Sequence, residues 1–526
     1  MKRLLIFALL INLISSSGMS QSCLPDGIVF STQSQIDSFQ INYPGCTVVE
    51  GDVKINGNDI SDLSKLNVLT SIEGNFTIGN IINFPINQNL TSLSGLNKLT
   101  NVGGNLSILG NEKITNLNEL FMLVYVGGNI DIDHNASLQD LSGLESLTSL
   151  AGHLGIGRNP LLTSLSGLDN VTYIEGNLTL GINQSLTSIT GLGKLTTIKG
   201  RLSIGNSSLT DLTGLQALSS IQGTVSFFEN ESLLTLSGLE NITSLNAGLS
   251  ISYNDGLADL NGLNNLQSIG SSANIKDNPT LINLTGLDKL TSIGGCFEIS
   301  RNQNLISLQG LNNLSSIDES LQVSANPVLQ DLSGLFNLTS LGKDLDLRYN
   351  FQLVNIQDLV SLTYVGEKIF LDENTSLVSL IGLNNIEPGS ITDLVIINNT
   401  LLETCGIKCI CDYLSSPGGD IEIHDNATGC NSPAEIQLGC DTLGIQPMDS
   451  RLEIKIFPNP ADDKIFITYP KDVKLESVRI YNQTGQLEKQ VELVSHEIDV
   501  SMIPNGLYII EFISKQNIVR EKLHIH

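Results

Sequence analysis

Cysteine is the residue type in this chain best suited to chemistry. Five of the eight cysteines, Cys405, Cys409, Cys411, Cys430 and Cys440, fall within one short stretch. Thiolates at that density either hold a metal ion or pair as disulfides. Cys-x3-Cys-x-Cys is not a zinc-knuckle spacing, and a leader-like N-terminus points to an oxidising compartment, so disulfides are expected and a metal is not. Cys23 and Cys46 bracket a second segment and are expected to form a disulfide of their own. His524 and His526 alternate along what reads as a final strand, which could in principle hold a metal, but a flexible terminus is the expected explanation. No His-Glu-x-x-His, Gly-x-Ser-x-Gly, phosphate-cradling Gly-x4-Gly-Lys-Ser/Thr or EF-hand loop occurs. The expectation is therefore no catalytic residue and no cofactor.

Recognition is the other chemistry on offer. Phe228, Tyr253, Lys276, Arg301, Arg348 and Tyr349 each stand one or two places before a regularly recurring asparagine, and Phe370 stands four before Asn374. Aromatic and arginine side chains at outward positions are what binding surfaces favour. Asp277 with Arg301, and Arg348 with Asp372, occupy matching places in successive repeats and read as ion pairs worth a few tenths of a kcal/mol. A carbohydrate-active β-helix lyase or hydrolase would instead concentrate carboxylates and a base on a few neighbouring coils. The positions before the asparagines mix aromatics with both signs of charge, and from Gly155 to Gly205 they are small or glycine-rich.

The elements that must position these residues are repeats. Leu recurs at 96, 120, 144, 168, 192, 215, 239, 263, 287, 311, 335, 359 and 383, at intervals of 24 residues with a single interval of 23. Within one unit the apolar positions step by three (Leu162, Leu165, Leu168, Val171, Ile174) and then by two (Leu178, Leu180), which fits tight turns followed by a short strand and not a long helix. Each unit is expected to form one coil, with its strand paired in parallel to the next about 4.8 Å away. Asparagines follow the strands at 111, 135, 159, 183, 206, 230, 254, 278, 302, 326, 350 and 374, with Asn58 and Asn80 before them and Asn398 or Asn399 and Asn426 after. A carboxamide both donates and accepts, so the twelve residues Asn111, Asn135, Asn159, Asn183, Asn206, Asn230, Asn254, Asn278, Asn302, Asn326, Asn350 and Asn374 are expected to stack as a ladder. Sixteen coils would make a rod roughly 75 Å long. Cys296 lies four to five coils from Cys405, on the order of 20 Å, too far for a disulfide. Cys296 and one cap cysteine are thus expected to stay unpaired.

Composition agrees with an elongated array: 526 residues exceed one ordinary core, Trp is absent and aromatics make up 5%. The 27 basic and 54 acidic residues give a net charge of −27, which disfavours nucleic acid and anionic lipid. Residues 451–526 hold 10 basic and 11 acidic side chains, leaving 17 and 43 for the rest, a step that marks a domain boundary. Residues 1–20 read as a signal peptide, with Lys2 and Arg3 before an apolar stretch from Leu4 to Ile14 that is too short to span a bilayer. Acylation of Cys23 is the rival reading, and Ser20-Gln21-Ser22 matches its usual lead poorly. No later segment is apolar for long enough to be a transmembrane helix. The division follows: a disulfide-stapled N-terminal cap over 21–52, the leucine-rich solenoid over 53–404, a Cys-rich cap with a last coil over 405–440, a linker over 441–451 and a β-domain over 452–526.

The stretch Cys46-Thr-Val-Val-Glu-Gly-Asp-Val53-Lys-Ile55 and the repeated Gly-Asn-Leu-x-Ile-x-x-Asn strand resemble the receptor L-domain branch of leucine-rich repeat proteins, over about residues 23–440 and with more coils than such domains have. That resemblance implies a right-handed coil and ligand recognition on a strand face. Ile456-Phe-Pro-Asn-Pro460, Val478-Arg-Ile-Tyr481-Asn-Gln-Thr-Gly485-Gln486, Ile498-Asp-Val500, Gly506-Leu-Tyr508 and Lys522-Leu-His-Ile-His526 resemble the type A C-terminal sorting domain of the type IX secretion system. Pro458, Asn459, Pro460, Gly485, Gly506, Tyr508 and Lys522 carry that likeness. It implies export through the periplasm and across the outer membrane of a Gram-negative bacterium, with the type IX machinery as a partner, and attachment to the cell surface or release. From the residues alone, apolar alternation between turn formers indicates a small antiparallel β-sandwich. The combined expectation is a mainly β chain, an elongated right-handed leucine-rich-type parallel β-solenoid with about 24 residues per coil followed by that sandwich. Its expected role is recognition or adhesion toward an extracellular protein or glycan, with a β-helix enzyme or a passive spacer as alternatives.

Overall fold

The computed structural model describes residues 21–81, 87–442 and, between 454 and 525, all but 458, 460, 462, 470–474, 483–485, 493–496 and 515–517. The expected signal peptide, most of the linker, and Pro458, Pro460, Gly485 and His526 lie outside the described residues. Two units are formed, Met1–Thr442 and Leu443–His526.

In the first unit each repeat closes into one coil because its apolar positions all turn inward. Leu162, Leu165, Leu168, Val171, Ile174, Leu178 and Leu180 are buried to within 1%, and full burial of each such side chain contributes about 1.5–3 kcal/mol. Glycine makes the turn between them possible. At Gly167 φ is +110°, and a Cβ there would lie 2.0 Å from the carbonyl oxygen of Leu141 in the preceding coil. The main strands pair in parallel and in register, as in Ile130–Asp133 with Leu154–Gly157, so that like positions stack in columns. Among the described residues there are seventeen such strands, one more than the repeat count predicts. The extra one, Ile28–Phe30, belongs to the N-terminal cap and pairs with Val53–Ile55. Sixteen spacings of about 4.8 Å give a sheet roughly 77 Å long.

The asparagines form a hydrogen-bonded column in two runs, Asn87 to Asn183 and Ser207 to Asn426, with corrections to its membership. Asn135 donates through Nδ2 to the Ile108 carbonyl one coil back, at 2.9 Å, and through both its backbone N–H and Nδ2 to Oδ1 of Asn159, at 3.0 and 3.2 Å. The pattern repeats to Asn399 and Asn426. Asn206 is not a rung: Ser207 holds that place, with Oγ donating to Asn230 Oδ1 at 2.7 Å. The one-residue deletion of the 23-residue interval falls after the rung and not before it, which moves Asn206 one position up the chain. At the N-terminal end the rung is Asn87, which donates to Asn111 Oδ1, and Gly57 precedes it; Asn58 and Asn80 are not rungs. Asn399 is the buried member of its pair, and Asn398 is the residue before it.

A second column was not anticipated. Asp52, Asn75, Asn105, Asn129, His153 and Asn177 each accept, through a side-chain O or N, the backbone N–H of the equivalent residue one coil on. The Asn of Gly-Asn-Leu is therefore structural as well.

Both ends are closed. At the N-terminus Gln33–Asp37 is a helix in which Gln35 Oε1 accepts the Thr32 N–H at 3.1 Å, and Ile36, Phe39 and Phe30 bury against the first coils. Cys23 and Cys46 are bonded. At the other end the helices Lys408–Ser415 and Pro433–Thr442 flank the last strand, Ile421–His424, and disulfides join Cys405 to Cys430 and Cys411 to Cys440. Cys296 and buried Cys409 are free thiols.

The second unit comprises antiparallel sheets. Lys455–Phe457, Lys464–Thr468 and Glu497–Asp499 form one, and Leu487–Glu492, Leu475–Tyr481, Gly506–Ser514 and Ile518–Ile525 the other. Ile465, Val478, Ile510, Phe512 and Leu523 form its core. Asn459 ties its own turn to the last strand, donating to the Lys522 carbonyl at 2.7 Å and accepting from the His524 N–H at 2.9 Å. The Tyr508 hydroxyl donates to the Pro504 carbonyl at 2.6 Å, holding the start of its strand to the preceding turn.

Candidate functional site

The outward side chains of the main strands form two columns, and the corner residues before the asparagine rungs form a third. The corner has left-handed backbone. His134, Arg158, Ile182, Glu229, Tyr253, Asp277, Arg301, Ala325, Tyr349 and Glu373 all have φ between +50° and +58°. Such backbone disfavours every residue with a Cβ and a β-branched one most, so repeated use of it reflects the rung that follows. Its effect is to push these side chains off the edge of the sheet, and Tyr253 and Tyr349 are 48% and 43% exposed.

Phe228, Lys276 and Arg348 share one strand column, in register through Ser252, Ser300 and Ser324. Tyr253, Arg301 and Tyr349 belong to the corner, and Phe370 to the neighbouring strand column, paired with Asp346. The seven residues share a face but do not converge. Six coil spacings of about 4.8 Å separate Phe228 from Phe370, roughly 29 Å. They fall into two groups, Phe228, Tyr253, Lys276 and Arg301 in one and Arg348, Tyr349 and Phe370 in the other.

In the first group Arg301 forms a bidentate pair with Asp277, both bonds 2.8 Å. That contact, with a smaller contribution from Tyr253, holds the guanidinium firmly charged. Phe228 is half-buried, and its ring occupies the space above Gly205 where a Cβ would lie 2.3 Å from it. Lys276 forms no ion pair among the described residues.

In the second group Arg348 does not pair with Asp372 as its register suggested. Both guanidinium bonds, 2.6 Å each, go to Asp346 two residues back in the same strand, and Asp372 accepts from Asn398 Nδ2 at 2.9 Å. The i, i+2 neighbour lies on the same face of the strand within reach of the long guanidinium side chain, while Asp372, though in register on the adjacent coil, is engaged by Asn398. Burial pushes the Asp346 carboxyl above the usual carboxylate range despite that pair. Phe370 is half-buried, with Arg348 4.9 Å and Lys368 4.5 Å from its ring centre.

Several exposed residues escaped the reading of the sequence. Phe351 is 46% exposed beside Tyr349, and Leu234, Ile282, Ile306 and Val354 form a column 46–54% exposed on the next turn of the coil. The signal of that column was an apolar residue directly after a core Leu, out of phase with the three-residue step. Asp131 and Asp133 also lie outward on one strand. Burial, then the Asp133 charge, raises the Asp131 carboxyl, and Asp133 pairs with Arg158 at 3.1 Å.

Among the described residues no group of His, Cys, Asp and Glu is placed to hold a metal ion, and no helix is long and apolar enough to cross a membrane. The fold and this face define a repeat protein, a parallel β-solenoid of about 24 residues per coil, with an extended outward sheet. Comparison with known families agrees: residues 170–237, inside the solenoid, match the Receptor L domain, and residues 455–526 match the Secretion system C-terminal sorting domain. A search of curated proteins finds no match. The sorting domain indicates export by the type IX system to the cell surface or extracellular space. The L-domain match indicates a receptor-like surface protein, and both matched families are non-enzymatic.

Proposed function

We propose that this chain is a recognition or adhesion protein of a Gram-negative bacterial surface that binds an extracellular protein or glycan along its main strand face, between residues 226 and 373. The supporting observation is the exposure of Tyr253 and Tyr349 at the corner column, with Arg301 and Arg348 fixed by bidentate carboxylates between and beside them. Rigid aromatic rings and pre-oriented guanidinium groups lose little conformational entropy when a partner docks. Their spread over roughly 29 Å fits an extended ligand better than a small substrate. Passage through the periplasm precedes this role, followed by attachment or release.

The test is binding of the full chain to glycan arrays and to purified surface proteins, beside a variant with Phe228, Tyr253, Tyr349 and Phe370 changed to alanine. Binding by the wild type that is lost in the variant supports the proposal. Absence of binding by both rejects it, and release of product from a polysaccharide establishes an enzyme instead.

A further inference from the structure

On a different turn of the coil from the main strand face, a column of small polar residues runs through Asn101, Ser149, Thr197 and Ser220, and at Tyr125 and Tyr173 it is interrupted by aromatic rings. The two tyrosines flank the coil of Ser149. A shallow cavity of ≈ 190 Å³ lies between them, lined by Tyr125, Ser149, Leu150, Ala151, Tyr173 and Glu175.

Both rings lie along their own coils. The Tyr173 hydroxyl donates to Glu175, two residues on, and the Tyr125 hydroxyl lies over Gly127, where a Cβ would be 3.0 Å from it. The coil between carries only Ser149 and Ala151 at these two places. Lys199, from the following coil, stands 5.6 Å from the Tyr173 ring centre, so the other face of that ring is the one turned toward Ser149. Tyr125 is 51% exposed, and Phe121, Met122 and Val124 beside it are 41–53% exposed, where neighbouring coils carry polar residues.

Two coil spacings put the rings about 9.6 Å apart. A flat aromatic guest needs only about 7 Å, two contacts of about 3.5 Å. A puckered ring with C–H bonds on both faces needs more and fits the wider slot. Charge narrows the class further. Glu175 already holds Lys199 at 3.0 Å, and its carboxyl is lowered by the Tyr173 hydroxyl and then by Lys199. With its charge already matched by that ammonium group, Glu175 offers a cationic guest little, whereas sugar hydroxyls can use the remaining carboxylate lone pairs.

We propose that the slot between Tyr125 and Tyr173 binds one pyranose ring of a neutral glycan, stacked between the two tyrosines with its hydroxyls toward Glu175. This inference stands apart from the proposed strand-face ligand, since no residue is shared. The test is saturation-transfer NMR and calorimetry on the full chain with cello-, malto-, laminari-, xylo- and chitohexaose, and with tetramethylammonium as the cationic control. At least one hexaose binds the wild type. Tyr125→Ala weakens that binding about tenfold or more, as truncation of an anchoring ring does. Ser149→Phe, which fills the slot, abolishes it, while Tyr173→Phe, which keeps the ring, retains most of it. The four-alanine strand-face variant binds the sugar as the wild type does. Binding of no hexaose, preference for tetramethylammonium, or unchanged sugar binding in Tyr125→Ala and Ser149→Phe would overturn the proposal. Circular dichroism and an unchanged unfolding midpoint identify variants that remain folded, and Tyr125, being half-exposed, is the one least able to disturb the coil.

Discussion

Oδ1 of Asn302 accepts both the backbone N–H and the side-chain N–H of Asn278, one coil earlier, at 3.1 and 3.4 Å, while its own Nδ2 donates to the Ile275 carbonyl at 3.0 Å. One fully buried carboxamide thus satisfies two backbone groups, the Asn278 N–H and the Ile275 carbonyl, that the corner would otherwise leave unpaired. Each such orphan costs about 1–3 kcal/mol. Asn302→Ala is expected to lower stability by about 3 kcal/mol, and Asn302→Asp by at least as much, because a carboxylate faces the Ile275 carbonyl and Asn326 Oδ1. Urea unfolding followed by circular dichroism measures both; a loss below about 0.5 kcal/mol would mean the rungs carry little.

The corner residue before each rung should improve when its Cβ is removed. Ala325 has φ +54° and Ile182 has φ +57°. Ala325→Gly and Ile182→Gly are each expected to stabilise by about 1 kcal/mol, whereas Thr179→Gly, at an exposed strand position, should destabilise by about 0.5–1 kcal/mol. Unfolding midpoints of the three variants decide the matter, and destabilisation at both corner sites would show that the corner is not left-handed.

Thiol counting checks the caps. Burial pushes the Cys409 thiol up to about 12, so it should be inert to thiol reagents at pH 8 in the folded chain. Cys296 is half-buried, its thiol raised by burial and its Sγ directed to Glu319 at 3.1 Å, so it reacts slowly. In denaturant without reductant two thiols per chain are expected, matching three disulfides. Four or more would break the assignment.

His424 on the last strand should titrate high. Asp425 first, at 2.7 Å, and Glu422 second, at 3.2 Å, raise it above the usual 6.5. A raised histidine is favoured in its charged form, so its stabilising effect is complete below about pH 6.5 and fades as pH rises through the folded value. An NMR titration should place the His424 midpoint above 6.5, and Asp425→Asn should bring it down. A midpoint at or below 6.5 in the wild type would contradict the contact.

Most of the solenoid was legible because its signal is redundant: every coil restates the three-residue step through residues such as Leu162, Leu165 and Leu168. Where redundancy fails, so did the reading. Ser207 replaces a rung in the one shortened coil, and counting could not tell on which side of it the deletion lay. Gly57 and Asn87 replace asparagines where the cap begins and where the 24-residue period is broken. The strand face was less legible than the core. Spacing identified its columns, but the partner of Arg348 depended on a choice between Asp346 and Asp372 that only side-chain reach decides. Phe228 and Phe370, placed on the surface by their phase, fold down over Gly205 and beneath Arg348. The slot at Tyr125 and Tyr173 lay on a turn where neither residue disturbs the repeat.

All the columns depend on coils locked in register by the asparagine rungs, and amide hydrogen exchange reads that lock directly. The backbone N–H groups of Asn278, Asn302, Asn326 and Asn350 each donate to the next rung. They should exchange as slowly as the strand amides of Ile275 and Ile299, at least about a thousandfold below unprotected rates. Fast exchange at the rung amides beside protected strands would show that the ladder is not formed, and with it would fall the alignment of every outward residue assigned to recognition.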